Sequence, residues 1–297
     1  MGSWDRRVKI ALLSIVSNTA LIILKIIAGI LSGSISIISE AIHSGMDLIA
    51  SCIAFFSVKK SAKPADKEHP HGHGKIENVS GLAEGILIFI AAGMIIKEAA
   101  DKIFVPVEIG QTTVAIAVMI IASITNLLVS KKLYKVAREE DSMALKADAI
   151  HLKTDVYTSF GVAVGLMLIK VTGVHILDPI VAIIVALLII KEAWVLCRDA
   201  LNYLLDTKLT DEEENKIKEI ISKYNDKFIE YHKLKTRKSG NMKHIDFHIT
   251  VNPKLTVVEA HEIIGCFKKN MAEEFHYTRV NVHVDPYRGQ GQPVVKK

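Results

Sequence analysis

Two short stretches of the chain repeat one pattern. His43-Ser44-Gly45-Met46-Asp47 and His151-Leu152-Lys153-Thr154-Asp155 each place a histidine four residues ahead of an aspartate. On a helix that spacing puts both side chains on one face, with Cβ atoms about 5–6 Å apart. Both stretches lie inside long apolar runs. Ionisable groups are costly in hydrocarbon, so they turn toward a bundle interior and mark a substrate pathway. Two imidazoles and two carboxylates supply four nitrogen and oxygen ligands, a set that suits a tetrahedral zinc ion. One pair alone reads equally well as a local polar contact that steadies the bundle. Two matched pairs favour a metal.

A second group of candidate ligands lies in the polar connection Pro64-Ala65-Asp66-Lys67-Glu68-His69-Pro70-His71-Gly72-His73-Gly74-Lys75. Three histidines and two carboxylates within eight residues can hold a metal, although a short exposed loop of this kind can also bind only weakly. A third group is spread over the last third of the chain: His232, His244, Asp246, His248, His261, His283 and Asp285. In a strand of period two, His244, Asp246 and His248 share a face, as do His283 and Asp285. Taken singly, each of these histidines reads as an ordinary surface residue.

Other chemistries fit poorly. His261-Glu262-Ile263-Ile264-Gly265 begins like a zinc-protease helix but has glycine where the second histidine is required. There is no phosphate-binding glycine loop of the Walker type. Cys52, Cys197 and Cys266 are far apart and indicate neither a disulfide framework nor a cysteine zinc knuckle. The net charge of +5 comes without a basic cluster interleaved with aromatics, so no nucleic-acid partner is expected.

These residues need elements to position them. Half of the 297 residues are hydrophobic, with mean hydropathy +0.30, and the apolar runs fill the first two thirds. Six segments approach the ~20 apolar residues that cross a bilayer: 8–30, 34–58, 79–96, 112–129, 144–169 and 179–195. The third is expected to be the weakest by hydropathy, because Glu84 interrupts it. Asp47 lies 13 residues from position 34 and Asp155 lies 14 from position 169. At ~1.5 Å per residue both are roughly 20 Å deep, so antiparallel helices present the two pairs at one level. Asn18 and Lys25 in the first span are expected to face protein or water. Asp148 shares the face of His151 and Asp155, as an access-path group or a helix-end cap. Trp4 and Trp194 fit interfacial anchors. No cleavable signal peptide is evident, since the run after Arg6, Arg7 and Lys9 is too long for one. Basic residues before the first span and after the second and fourth put both termini in the cytosol.

From about Asp206 the pattern becomes polar. Thr210 followed by four acidic residues caps an amphipathic helix. Strands at 228–235 and 243–251 are joined as a hairpin, and a helix at 257–275 leads to a strand at 278–284. The expected fold is a bundle of six transmembrane helices over 1–205 and a cytosolic α+β domain of order αββαβ over 206–287. A disordered tail is expected over 288–297.

The paired His/Asp motifs, the loop from Pro64-Ala65-Asp66 to Gly72-His73-Gly74-Lys75-Ile76-Glu77, the Lys146–His151 entry to the fifth span and Asp178-Pro179 resemble the cation diffusion facilitator family over residues 8–287. The resemblance implies a homodimeric metal-ion/proton antiporter, multi-pass in the plasma membrane, with a metallochaperone-like cytosolic domain. It implies transport through His43, Asp47, His151 and Asp155, and a second metal site of Asp66, His69 and His73. It further implies a binuclear site of His232, His248, His261, His283 and Asp285 at a cytosolic dimer interface. Lys75 and Asp206 are similar to the family's charge pair between domains. The two imidazoles at the transport motif resemble the zinc-selective branch. Cd2+, Fe2+, Co2+, Ni2+ and Mn2+ stay open as further cargo. A membrane-anchored metal sensor and a passive metal channel are the alternatives to a proton-coupled exporter.

Overall fold

The computed structural model describes residues 5–32, 35–104, 113–172, 174 and 176–289. Some side chains inside the helices fall outside the described residues, those of His43 and Asp178 among them. Trp4 and residues 290–297 lie wholly outside. The chain divides into two compact units, 1–201 and 202–297.

Six helices fill the first unit: α1 (Arg6–Ser32), α2 (Ile35–Ser61), α3 (Lys75–Phe104), α4 (Thr113–Glu139), α5 (Met143–Thr172) and α6 (Leu177–Leu204). Four of them, α1, α3, α4 and α6, contain stretches long and apolar enough to cross a membrane. Among the described residues α2 and α5 do not meet that measure, and these two carry the His/Asp pairs. The expectation that the third span is weakest is corrected. Its window has a mean hydropathy of 2.2, equal to that of α1, while α4 has 1.3. One carboxylate does not outweigh the isoleucines and alanines around it.

The helices also run past the expected spans. Beyond residue 129, α4 continues for nearly three turns because Leu133, Val136 and Ala137 keep the buried stripe going. Lys131 and Lys135 occupy the exposed side of the same stretch. α1 packs on α2 and α4, α4 on α5, and α3 on both α2 and α5. α6 meets α3 closely at Gly85, where an added methyl group would collide with Cys197 Sγ.

The soluble unit is built from α7 (Asp211–Ser222), β1 (Glu230–Ser239), β2 (Met242–Val251), α8 (Val257–Glu274) and β3 (Thr278–Pro286). Thr210 and Glu213 form a reciprocal cap at the start of α7, and Thr256 and Glu259 do the same for α8. β1 and β2 are antiparallel, and β2 and β3 are parallel across α8, giving the order β1-β2-β3. Ile245, Phe247, Ile249 and Val251 of β2 join Ile217 and Ile221 of α7 and Phe267 of α8 in one core. The intervening residues of β2, His248 among them, therefore point to the other face. β1 runs four residues further than expected, because Gly240 (φ 61°) and Asn241 alone make the turn.

One buried ion pair ties four parts of the helical unit together. Glu77, at the start of α3, is fully buried and accepts from Arg7 Nη1 of α1 at 2.8 Å. Its carboxylate also accepts from Ser61 Oγ at the end of α2 (2.6 Å) and from Ser142 Oγ just before α5. Asp5 holds the other edge of Arg7 at 2.6 Å. Removing one partner of such a pair leaves an uncompensated buried charge and costs about 3–5 kcal/mol. Glu77→Ala is therefore expected to lower the thermal midpoint of the purified protein far more than Ser61→Ala, which removes one hydrogen bond worth about 1 kcal/mol.

Candidate functional site

Asp47 of α2 and His151 of α5 meet side chain to side chain, His151 Nε2–H donating to Asp47 Oδ1 at 3.2 Å. Both are buried, and Asp155, one turn further along α5, is half-buried. Ligand atoms of Asp47, His151 and Asp155 all lie within 4.8 Å of one another. His151 Nδ1 has no hydrogen-bond partner in the described structure. His43 occupies α2 one turn before Asp47, and its side chain lies outside the described residues. Three of the four residues singled out from sequence thus come together within reach of one ion.

A polar shell supports this group; the sequence singled out its Asn18, Lys25 and Asp148 but not its Ser44 or Ser51. Asn18 of α1 donates to Ser51 Oγ at 2.8 Å and to the Asp47 carbonyl at 3.5 Å. Lys25 donates to Ser44 Oγ at 2.6 Å, beside the His43–Asp47 turn. Ser51 in turn donates to Asp148 Oδ1 at 2.9 Å. Asn18 and Lys25 face protein, as expected, but the protein they face is the helix that carries the site. The signal lay in α1 itself, where Ser14, Asn18 and Lys25 fall on one face at helical spacing.

In the 62–74 connection, Asp66, His69 and His73 form a second close set. Asp66 lies 3.4 Å from His69 Nδ1 and 3.3 Å from His73 Nε2, and the two rings stand 4.5 Å apart. The loop is folded for this contact. Asp66 Oδ1 accepts the backbone N–H of His69 at 2.7 Å, and Gly72, with φ 86°, reverses the chain before His73. That backbone N–H, and after it the neighbouring His73 and His69, hold the Asp66 carboxyl below its ordinary range. His73 is buried, and its Nδ1 has no partner in the described structure.

The sheet makes the third set. His232, His248 and His283 are aligned in a single rung across β1, β2 and β3. Neighbouring rings are 5.2 Å and 4.6 Å apart. Asp285, two residues beyond His283, reaches all three, accepting from His248 Nδ1 at 2.9 Å and lying 3.4 Å from His232 and 3.2 Å from His283. Burial pushes the Asp285 carboxyl up. The His248 hydrogen bond and the charges of His283, His248 and His232 outweigh it and hold the group low. A bulge follows His232, with Lys233 at φ 53°, and β1 re-enters register at Lys235. His261 sits exposed on α8 and lines a groove with Leu255, Ile264 and Val284. It is not one of the mutually close ligands among the described residues.

Two family models match the chain. The cation efflux transmembrane domain covers residues 11–205, and the cation efflux protein cytoplasmic domain covers 209–287. An uncharacterized transporter of Synechocystis is 35% identical over 276 residues, 93% of this chain and 89% of the relative. One from Methanocaldococcus jannaschii is 34% identical over 277 residues, covering 92% and 96%. The cation-efflux pump FieF of Shewanella oneidensis is 28% identical over 273 residues, 92% of each chain.

The sheet cluster gives a test that needs no transport assay. A cation bound by the folded rung stabilises it by RT ln(1 + [L]/Kd), so zinc is expected to raise the melting temperature. His248→Ala and Asp285→Ala are each expected to abolish most of that rise. Without metal, Asp285 contributes stability that is present above its unfolded pKa of about 4. That contribution disappears as acidification passes through the lower folded value. Asp285→Asn is therefore expected to destabilise the metal-free domain at pH 6, and progressively less as acidification passes below the ordinary carboxylate range, in paired melting curves.

Proposed function

Because the chain belongs to the cation efflux family, and is a multi-pass membrane transporter of divalent cations rather than an enzyme, we propose that it exports Zn2+ from the cytosol by proton antiport through His43, Asp47, His151 and Asp155. The observation that carries this reading is the His151–Asp47 contact with Asp155 inside the same 4.8 Å, buried between two helices. Two carboxylates offset the charge of a divalent ion, and imidazole nitrogen selects zinc over the harder manganese and magnesium. His43 completes the tetrahedral set one turn from Asp47.

The antiport follows from a single atom. His151 Nε2 bears the proton that bonds Asp47, and a metal needs the lone pair which that proton occupies. Metal and proton are therefore alternatives at one nitrogen. Facing the cytosol, the site exchanges its protons for zinc. Facing outward, protons driven by the gradient take the nitrogen back and release the metal.

The remaining features join this scheme. Six crossings return the chain to its starting side, and the match of its C-terminal region to a cytoplasmic domain supports both termini in the cytosol and export across the plasma membrane. The protein acts as a homodimer. Zinc held by His232, His248, His283 and Asp285 ties protomers together and favours transport, with His261 of α8 a further ligand in the dimer. Asp66, His69 and His73 hold a further ion in the loop.

Flux in proteoliposomes tests the proposal. Asp47→Ala and Asp155→Ala are each expected to reduce zinc flux and the accompanying proton counterflow to background while the protein remains folded. Wild-type flux in Asp155→Ala would remove the site. Zinc movement without proton counterflow in the parent protein would instead indicate a channel. Replacing His43 by Asp substitutes a hard oxygen for nitrogen, and competition assays are expected to show cadmium and manganese carried better relative to zinc.

A further inference from the structure

Two carboxylates in the helical unit have no part in the scheme above. Asp148 of α5 and Glu84 of α3 are both fully buried, with no exposed surface. Asp148 precedes His151 by three residues and Asp155 by seven, so it shares their face and lies nearer the N-terminal end of α5 by ~4.5 Å and ~10 Å respectively. Its Oδ1 accepts from Ser51 Oγ, and Ser51 is one turn past Asp47 on α2. Both neighbours of the transport site are thus displaced in the same direction. Lys146, near the start of α5, pairs with Asp199, near the end of α6, at 2.9 Å, which identifies this as the side on which the chain leaves the bundle for its cytoplasmic domain. Glu84 accepts from Ser80 Oγ at 3.2 Å, and α3 packs along α5, with Gly81, one turn before Glu84, set against Met143, the first residue of α5.

What distinguishes these two groups from structural carboxylates is the half of each that is unused. Glu84 Oε2 and Asp148 Oδ2 are buried and have no hydrogen-bond partner in the described structure. Neither residue is paired with a lysine or arginine among the described residues. Glu77 shows what a structural buried carboxylate looks like here, with Arg7, Ser61 and Ser142 on its two oxygens. Buried polar groups are ordinarily satisfied, and an exception calls for an absent ligand or a functional role. Open carboxylate oxygens beside a divalent-cation site match the cation itself.

We propose that Asp148 and Glu84 form an inner station on the cytoplasmic approach to the transport site, where the divalent cation exchanges hydration waters for carboxylate oxygens before passing to Asp47, His151 and Asp155. The proposal rests on the transport-site reading. Two carboxylates without an imidazole of their own make a weaker site than the one they lead to, and a conducting path needs stations favourable to enter yet weak enough to leave. Ser51 belongs to both layers, since it receives Asn18 beneath Asp47 and donates to Asp148.

The test uses the full-length protein in liposomes, with zinc supplied on the side of the cytoplasmic domain. Glu84→Gln, Asp148→Asn and the double variant keep the side-chain shape and remove the charge. Each single variant is expected to raise the zinc concentration for half-maximal flux by about 10-fold, and the double variant more. Equilibrium zinc binding at the Asp47/His151/Asp155 site is expected to persist in all three, measured as the binding that Asp155→Ala abolishes. Glu84→Asp, which restores a carboxylate, is expected to recover most of the apparent affinity. Unchanged concentration dependence in the double variant overturns the inner station. So does a fall in maximal rate alone, or a failure of Glu84→Asp to recover, because either marks a packing role. If Asp155→Ala itself leaves binding and flux intact, the transport-site reading fails, and that arm is scored independently of Glu84 and Asp148.

Discussion

An ionised group in the hydrocarbon layer must carry its own compensation, and the helical unit is organised around that requirement. The cost at a helix centre is about 2.5–3.5 kcal/mol per charge on insertion scales, and lipid offers nothing to offset it. The outward faces accordingly present Ile23, Ile27, Leu31, Phe160 and Leu187, all more than half exposed. The polar residues gather where α1, α2, α3 and α5 meet. They do so in tiers: Asp155, His151 and Asp47 deepest, then Asp148, Ser51, Ser14 and Glu84, then Glu77, Arg7, Ser61 and Ser142 at the end of the bundle. The last tier is closed by a full complement of hydrogen bonds. The two above it retain open atoms, at His151, Asp148 and Glu84.

The soluble unit meets the same cation chemistry without a desolvation problem. His232, His248 and Asp285 are only partly buried and His283 is exposed, so gathering them costs little, and the sheet needs only to hold them in place. It does so by register. Three strands contribute one histidine each to a rung, and the face opposite is filled by Phe247, Ile249, Ile217 and Phe267. The apolar core thereby fixes which residues point away from it, since a one-residue slip would turn the histidines inward.

Much of this was legible in the chain. The six helices, the αββαβ order and the partners Asp47, His151 and Asp155 follow from spacing and hydropathy, because period and length carry those signals directly. What was not legible depends on contacts between elements distant in sequence. Ser51 reads as one more small residue in an apolar helix until Asn18 and Asp148 are set against it from α1 and α5. Glu84 reads as a flaw in a span, and hydropathy gives no hint that it is fully buried with one carboxylate oxygen unpartnered. Nor does composition separate Glu77, fully paired, from Glu84, half open. Helix ends were underestimated for a related reason: apolar residues at 133, 136 and 137 continue a stripe that a membrane-thickness window cuts off.

His244 and His248 make the dependence on register plain. They lie four residues apart on the same face of β2, and the sequence offers both as ligands. In the sheet, His248 stands between His232 and His283, with Asp285 two residues along β3 to supply negative charge. His244 stands between Arg237 and Arg279. Directly opposed side chains on a sheet are about 5 Å apart, so His244 has two guanidinium groups for neighbours, the one on Arg237 paired with Asp206 at 3.3 Å, and no carboxylate aimed at it as Asp285 is at His248. A histidine becomes a candidate ligand here through its cross-strand neighbours and not through its own position. Those neighbours are set by the bulge after His232, which shifts β1 by one residue and lets Arg237 oppose His244 while His232 still opposes His248. One irregular residue, Lys233, therefore separates a rung of three histidines from a rung in which one histidine stands between two arginines.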